Sequence, residues 1–326
     1  MTDGGVLADA DWPLFGWDDD VRPALARALD AGRAVVLGTL WKVEGSAPRG
    51  PGAQMLFDGD RASGYFSGDC IEGDVARHAA EVLASGEPRH LHYGLGSPWI
   101  DIRLRCGGAL HVFLERISPD SPAARSLVEH VRNRVPCCWI TDGMAQQVGE
   151  GGGPLVAVQA SPFRLERRFD PRRRVIVSGG DPGSLALAAL AASARFETLL
   201  VRPDGPEDGL PLDGVTYLRG APAAVLEDLK VDRWTAYVGA THEDHHDLAA
   251  CLRAVRAGAG WVGMIGAKSR ANGRREALRA AGASEDEVAA IRFSPGIAGL
   301  GKAPWEVAVG IMAEVMQAMK PSAERA

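Results

Sequence analysis

Residues 174–184 read R-V-I-V-S-G-G-D-P-G-S. A short apolar run ends in a glycine-rich turn, and the turn opens a segment of helical composition. From here on, strands and helices alternate. After RVIV come a helix over 182–194, the strands TLLV and VTYL, a helix over 222–230 and the strand TAYVGA. A helix over 244–257, the strand WVGMIGA and a helix over 269–281 follow. The last helix is PWEVAVGIMAEVMQAMK, with Pro304 at a position suited to the first helical turn. Alternation of this kind implies right-handed crossovers and a parallel sheet with helices on both faces.

The turn also bears on the ligand. A dinucleotide fingerprint asks for G-x-G-x-x-G. Here Ser178 takes the first glycine position, and Gly180 and Gly183 take the others. Asp181 falls where a pyrophosphate would dock; its charge repels phosphate, and the side chain suits a helix cap instead. Arg202, not an acid, stands at the end of the next strand; it is a group that could accept a 2′-phosphate. The domain reads as Rossmann-like, with an incomplete NAD(P) site.

The composition changes near residue 171. Residues 1–19 read as a loose tail, 20–170 as an N-terminal domain, 171–320 as the Rossmann-like domain and 321–326 as a C-terminal tail. The N-terminal domain mixes elements. A helix runs from near Asp20 to Gly32, followed by the strands AVVLGTLW and QMLF, and a short strand near Gly64–Phe66. A helix over 73–84, the strand ALHVFLERI, a helix near 123–133 and the strand CCWIT complete it. The fold class is α/β, and no internal repeat is visible.

Bulk properties narrow the function. A length of 326 residues suggests about two domains. The formal charge of −6 makes general binding to nucleic acid or anionic membranes a poor fit. Arg164, Arg167, Arg168, Arg172, Arg173 and Arg174 form a basic cluster, read as a solvated edge or interdomain surface because few aromatics interleave with it. No apolar run is long enough to span a membrane, and the first residues lack a secretion signal. Five scattered cysteines suit a reduced, cytoplasmic setting.

Three loops carry candidate chemistry. Residues 241–247, T-H-E-D-H-H-D, contain an H-E-x-x-H pattern from His242 to His246. A zinc hydrolase needs both histidines one turn apart in one helix. Here the helix is expected to start near Asp244, leaving His242 in the turn after TAYVGA. Ligands of open α/β sheets bind at such strand ends, which makes Thr241, His242, Glu243 and Asp247 candidate contacts. Helix capping by Thr241 or Asp244 is the structural alternative. The other two loops are S-G-D-C-I-E-G-D, residues 67–74, and R-C-G-G, residues 105–108. Cys70 immediately precedes a helix, whose dipole lowers a thiol pKa. Such a thiolate could bind a soft metal or carry sulfur; the alternative is a tight turn with an incidental cysteine. Cys137, Cys138 and Cys251 read as small buried hydrophobes.

Taken together, the chain resembles the XdhC/CoxI family of xanthine dehydrogenase accessory proteins, from about residue 20 to 319. In the first half the likeness rests on Gly45-Ser46-Ala47-Pro48-Arg49 with Gly52 and Met55, on Ser67-Gly68-Asp69-Cys70-Ile71-Glu72, and on Cys106-Gly107-Gly108. In the second half it rests on Thr241-His242 with Asp247, on Gly263–Ala267 with Lys268 and Arg270, on Pro295-Gly296, and on Pro304–Ala308. The resemblance implies a chaperone that binds molybdenum cofactor, guards it during sulfuration and delivers it to a molybdenum hydroxylase such as xanthine or carbon monoxide dehydrogenase. It implies a cysteine desulfurase, the hydroxylase apoenzyme and a second copy of the chain as partners. It also implies that Ser46, Pro48, Gly52, Cys70, Glu72, Cys106, Gly107, Gly108, Gly180, Thr241, His242 and Asp247 contact the cofactor, with Cys70 and Cys106 able to reach molybdenum. Thr241 and His242 would line an opposite wall if the domains enclosed a cleft. The chain departs from the family at Asp69, where a second glycine is usual, at Ser178, Asp181 and Pro182 in the glycine turn, and at Ile297–Gly301. Two other classes stand beside this one: an NAD(P)-dependent oxidoreductase or nucleotide-binding module, and a zinc hydrolase.

Overall fold

The computed structural model describes residues 18–59, 61–97, 104, 107–209 and 212–320. The chain divides into two compact units, Met1–Pro171 and Arg172–Ala326.

In the first unit, helix α1 (Arg22–Asp30) leads into strand β1 (Val35–Glu44). Residues 35–40 of β1 are all buried, so the strand must be central. It pairs antiparallel with β2 (Gln54–Phe57) on one side and β5 (Ala109–Ile117) on the other. With β3 (Ala62–Gly64) and β4 (Arg89–Tyr93) the sheet order is β3-β2-β1-β5-β4. The β3 strand lies two residues earlier than its sequence suggests. Its partners run from Phe57↔Ala62 to Met55↔Gly64, which leaves Tyr65 and Phe66 to start a loop.

Helix α2 (Glu72–Ser85) places Val75, Ala79 and Val82 against one sheet face, where Leu110, Val112 and Leu114 alternate along β5. On the other face, Val35, Leu37 and Ile117 pack with α1, with α3 (Pro122–Arg132) and with a second antiparallel sheet. That sheet has the order β7-β6-β9-β8 and comprises β6 (Cys137–Thr141), β7 (Gln146–Glu150), β8 (Val156–Ala160) and β9 (Phe163–Phe169). Glu115, fully buried on β5, stitches the sheets together by accepting from Trp139 Nε1 at 2.9 Å, Thr141 Oγ1 at 2.7 Å and Gln146 Nε2 at 2.8 Å. Part of the basic cluster is spent within the unit. Arg167 stacks 4.0 Å over Phe169, and Arg164 and Arg168 pair with Glu166 and Asp170.

The second unit is a six-stranded parallel sheet in the order β12-β11-β10-β13-β14-β15. Its strands are β10 (Arg174–Gly179), β11 (Glu197–Arg202), β12 (Val215–Arg219), β13 (Thr235–Ala240), β14 (Trp261–Met264) and β15 (Ile291–Phe293). Every residue of β10 and β13 is buried, as central parallel strands require. Helices α4 (Pro182–Ser193) and α9 (Pro304–Ala318) cover one face. Helices α5 (Pro222–Asp228), α6 (Asp244–Arg256), α7 (Ala271–Ala280) and α8 (Glu285–Ala289) cover the other. The strand order reverses between β10 and β13, and this is the switch point where open α/β sheets bind ligands. Among the described residues, no helix is long and apolar enough to cross a membrane.

Candidate functional site

In the first unit the motif loops meet at one end of the five-stranded sheet. The pairs Glu44↔Ala109 and Tyr93↔Leu110 put the end of β1, the end of β4 and the start of β5 at one edge. The loops leaving these strands touch backbone to backbone. A Cβ on Gly108 would lie 2.2 Å from the Ser46 carbonyl oxygen, and one on Gly94 would lie 2.2 Å from the Gly108 carbonyl oxygen. Glycine is required at both positions for this close approach. Arg49 ties in the next loop, with its guanidinium 4.5 Å over the Tyr65 ring. Of the candidates here, Ser46, Pro48 and Gly107 are exposed. Gly52 and Gly108 are buried and serve the loop packing. Cys106 lies outside the described residues.

The Cys70 loop is organised from behind by Glu72. The Glu72 side chain, on the first residue of α2, turns back into its own loop. Oε1 accepts the amides of Phe66, Ser67 and Gly68 at 2.9, 2.6 and 3.0 Å. Oε2 accepts the amides of Asp69 and Ile71 at 2.9 and 3.2 Å and the Ser67 hydroxyl at 2.6 Å. Ser67 Oγ in turn accepts the Cys70 amide at 3.0 Å. Burial alone would raise the Glu72 pKa, but the Ser67 hydroxyl and the ring of amides outweigh it and hold the carboxyl below its ordinary value. Glu72 is only 1% exposed, so its carboxylate supports the loop rather than lining a surface. Gly68 and Asp69 remain exposed, and Cys70 is a half-buried free thiol at the edge of the α2 core. Asp69 has a φ of 103°, a left-handed conformation that glycine adopts without strain. This gives a physical reason for the glycine usual at that position. Cys137, Cys138 and Cys251 are buried, and burial pushes the Cys137 thiol up to about 11.

In the second unit a cleft of about 130 Å³ opens at the switch point, lined by Gly179, Gly180, Arg202, Pro203, Asp204, Thr241 and Glu243. Arg202 lies over the glycine turn, and a Cβ on Gly180 would come 2.3 Å from its Nε. Asp181 caps α4, with Oδ1 accepting the Ser184 amide at 2.9 Å and the Ser184 hydroxyl at 2.5 Å. Its Oδ2 meets His242 Nε2 at 3.2 Å. Burial would raise the Asp181 pKa, but Ser184 and His242 bring it below the ordinary value. The helix terminus is therefore occupied by the chain's own carboxylate, and Arg202 covers the turn. The turn does not fit a dinucleotide pyrophosphate. Asp204, two residues beyond the end of β11, supplies an acid that strand-end reasoning misses.

The T-H-E-D-H-H-D loop differs from its helical expectation in one respect. The N-cap of α6 is Glu243, without a side-chain capping bond, so neither Thr241 nor Asp244 caps the helix. The Asp244 carboxylate instead receives Arg270 at 2.6 Å and Arg274 at 3.0 Å. His242 is exposed in the turn, with a φ of 65°, and shares no helix with His246. Asp247 is fully buried. Its Oδ1 accepts the Thr241 amide at 3.1 Å and the Thr241 hydroxyl at 2.9 Å, while Oδ2 has no partner among the described residues. Burial raises its pKa.

The chain therefore carries one unit whose motif loops meet at a sheet end and a Rossmann-like unit whose glycine turn is altered. Residues 28–94 match the model of the XdhC and CoxI family, and residues 175–315 match that of the XdhC Rossmann domain. The chain belongs to the XdhC/CoxI family. It is 28% identical over 304 residues to the molybdenum cofactor insertion chaperone PaoD of Escherichia coli K12, covering 91% of this chain and 88% of PaoD. It is 25% identical over 315 residues to a protein of Bacillus subtilis 168 described as a probable xanthine dehydrogenase subunit, covering 87% and 93% of the two chains. A Bacillus halodurans crystal structure described as a xanthine dehydrogenase superposes with a TM-score of 0.71 at 20% identity. That match covers 93% of this chain and 97% of the other, and it shows a shared fold.

Proposed function

We propose that this protein is a molybdenum cofactor chaperone that holds the cofactor at the loop end of the first unit and delivers it to a molybdenum hydroxylase apoenzyme in the cytoplasm. The observation that carries this reading is the meeting of the 45–50, 65–71 and 107–108 loops at one sheet edge, with Cys70 in a loop whose shape Glu72 fixes.

The residues present fit a phosphate-bearing pterin dithiolene in part of its chemistry. Glycine backbone in close array suits a flat polar heterocycle, and a half-exposed thiol suits a soft metal. The amides of the Cys70 loop are already bound to Glu72, so phosphate donors fall to the 45–50 loop, where a phosphate would compete with Asp19 for Arg49. When bound, the cofactor supplies the molybdenum centre on which the hydroxylase's redox chemistry depends. The chain's own residues bind and orient it: Cys70 at the metal, Ser46 and Gly107 at the exposed rim, and Glu72, Gly52 and Gly108 as supports. On this reading a cysteine desulfurase and a second copy of the chain are the further partners.

The test is production in cells that make the cofactor, with rapid anaerobic purification and joint measurement of molybdenum and oxidised-pterin fluorescence. Matching amounts of both are expected. Cys70→Ala is expected to lower both together and to weaken activation of an apo-hydroxylase. An intact chain that carries neither and activates no hydroxylase would sink the reading.

A further inference from the structure

The H-E-x-x-H pattern pairs the wrong histidine. We propose that Glu243, His245 and His246 form a site for a divalent transition metal, zinc being the natural occupant, on the rim of the cleft in the second unit. This does not rest on the cofactor reading, because the residues lie in the other unit and the probe is zinc alone.

The backbone at His242 creates the arrangement. Its left-handed φ of 65° turns the chain away from β13 and commits the imidazole to Asp181. The next residue, Glu243, becomes the N-cap of α6. Its backbone carbonyl accepts the amides of His246 and Asp247, both at 3.0 Å, while its side chain caps nothing. The Glu243 carboxylate is thereby left beside the first helical turn. Its Oε2 lies 3.8 Å from His245 Nε2, and the His245 and His246 rings sit 4.0 Å apart with a tilt of 37°. One donor atom from each of the three lies within 4.8 Å of the others. Tetrahedral zinc with bonds of about 2.0–2.1 Å asks for donors roughly 3.3 Å apart. Glu243 and His245 are exposed and His246 is half-buried, so small side-chain rotations close that gap.

Two further observations separate this group from an ordinary surface pair. Among the described residues, the Glu243 carboxylate and the two imidazoles have no ion pair or ring contact except with one another, whereas the neighbouring acids are already engaged. Asp244 holds Arg270 and Arg274, and Asp181 holds Ser184 and His242. Glu243 also lines the cleft together with Asp204 and Arg202, so the lining residues include two acids and one base. That excess of negative charge favours a cation and offsets the positive end of α6. Two imidazoles and a carboxylate are the donor set that borderline divalent metals prefer. Three protein ligands leave a coordination position for water or for a molecule in the cleft.

The test uses the full chain, stripped of metal and titrated with zinc against a chromophoric chelator. A parallel cobalt titration is followed by absorption. One zinc per chain is expected, without a thiolate-to-cobalt charge-transfer band. His245→Ala and His246→Ala should each weaken zinc about tenfold or more, and Glu243→Gln should weaken it less. His242→Ala and Cys70→Ala should bind zinc as the parent does. Circular dichroism and thermal unfolding check that each variant is folded; zinc should raise the melting temperature of the parent and not that of His246→Ala. Absence of stoichiometric zinc overturns the proposal. So does binding that survives both histidine substitutions, binding lost with His242, or a cobalt spectrum showing thiolate.

Discussion

Glu72 and Asp247 are both buried carboxylates that hold a loop bearing candidate ligands, one in each unit, yet their acidities shift in opposite directions. Glu72 draws five amides and a hydroxyl into its two oxygens. Those donors outweigh its burial and lower its pKa. Asp247 draws the amide and hydroxyl of Thr241 into one oxygen, and its other oxygen is buried without a partner among the described residues. There burial wins and the pKa rises. Burial is similar, so the number of donors decides the sign. The Cys70 loop favours an ionised carboxylate, whereas the Thr241 loop disfavours one.

The most severe test of this contrast is Glu72→Ala. It would strand several buried amides at once, and an unsatisfied buried donor costs about 1–3 kcal/mol. A loss of about 3 kcal/mol or more in urea unfolding is expected, with Glu72→Gln recovering less than half because its amide nitrogen faces donors. A loss below about 1 kcal/mol would show that the loop does not depend on the carboxylate. The pH dependence follows from the lowered pKa. The contribution of Glu72 is fully present above its unfolded value, near ~4.3, and is lost as pH falls through the lower folded value. The parent should lose stability in that window, and Glu72→Ala should lose less.

Asp181 allows a smaller test. It too fills an amide-rich position with the chain's own carboxylate, but its side chain is 38% exposed. Asp181→Ala removes the cap of α4 and should cost about 1 kcal/mol. It also vacates the helix terminus, so weak binding of inorganic phosphate, absent in the parent, should appear by calorimetry. Phosphate binding equal in parent and variant would mean that Asp181 does not block the turn.

Asp69 offers a gain of similar size. Its φ of 103° is strained for a residue with a side chain, and strain of this kind costs about 1–3 kcal/mol. Asp69→Gly should therefore stabilise the first unit by up to about 1 kcal/mol, once the greater freedom of glycine in the unfolded chain is counted. A destabilised variant would show that the Asp69 side chain contributes something that relief of strain does not replace.

How much of this was legible in the sequence depended on what covers each strand. The parallel sheet of the second unit reads directly, because RVIV, TLLV and TAYVGA are buried on both faces and are apolar after their first residue or nearly so. Of the second sheet of the first unit only β6, CCWIT, reads as a strand. Strand β9, FRLERRF, buries Leu165 and Phe169 but carries arginines between them, one of them stacked over Phe169 itself. Strand β7, QQVGE, has no apolar face to detect. Helix α8 and β15 are too short for periodicity to mark. At the loops the motifs were legible and their geometry was not. No spacing rule shows that Glu72 turns back onto its own loop. The H-E-x-x-H string likewise conceals a left-handed residue at His242, which removes one histidine and brings another to Glu243.

The smallest expected effect lies at Asp247, and it bears most directly on the contrast with Glu72. Asp247→Asn keeps an oxygen to accept from Thr241 and replaces the partnerless, charge-bearing oxygen with a neutral amide. A carboxyl with a raised folded pKa is at its best below its unfolded value, near ~3.9, and costs stability as pH rises through the folded value. The asparagine variant escapes that cost. It should be as stable as the parent near pH ~4 and slightly more stable at neutral pH, by less than about 1 kcal/mol, with a flatter profile between. Asp247→Ala should instead lose about 1–3 kcal/mol, because the Thr241 amide is left unpaired. If asparagine proves as costly as alanine, the charge itself is required, and Asp247 must have a donor or cation that answers its second oxygen. Asp247 would then behave as Glu72 does, and donor number would no longer explain the opposite shifts.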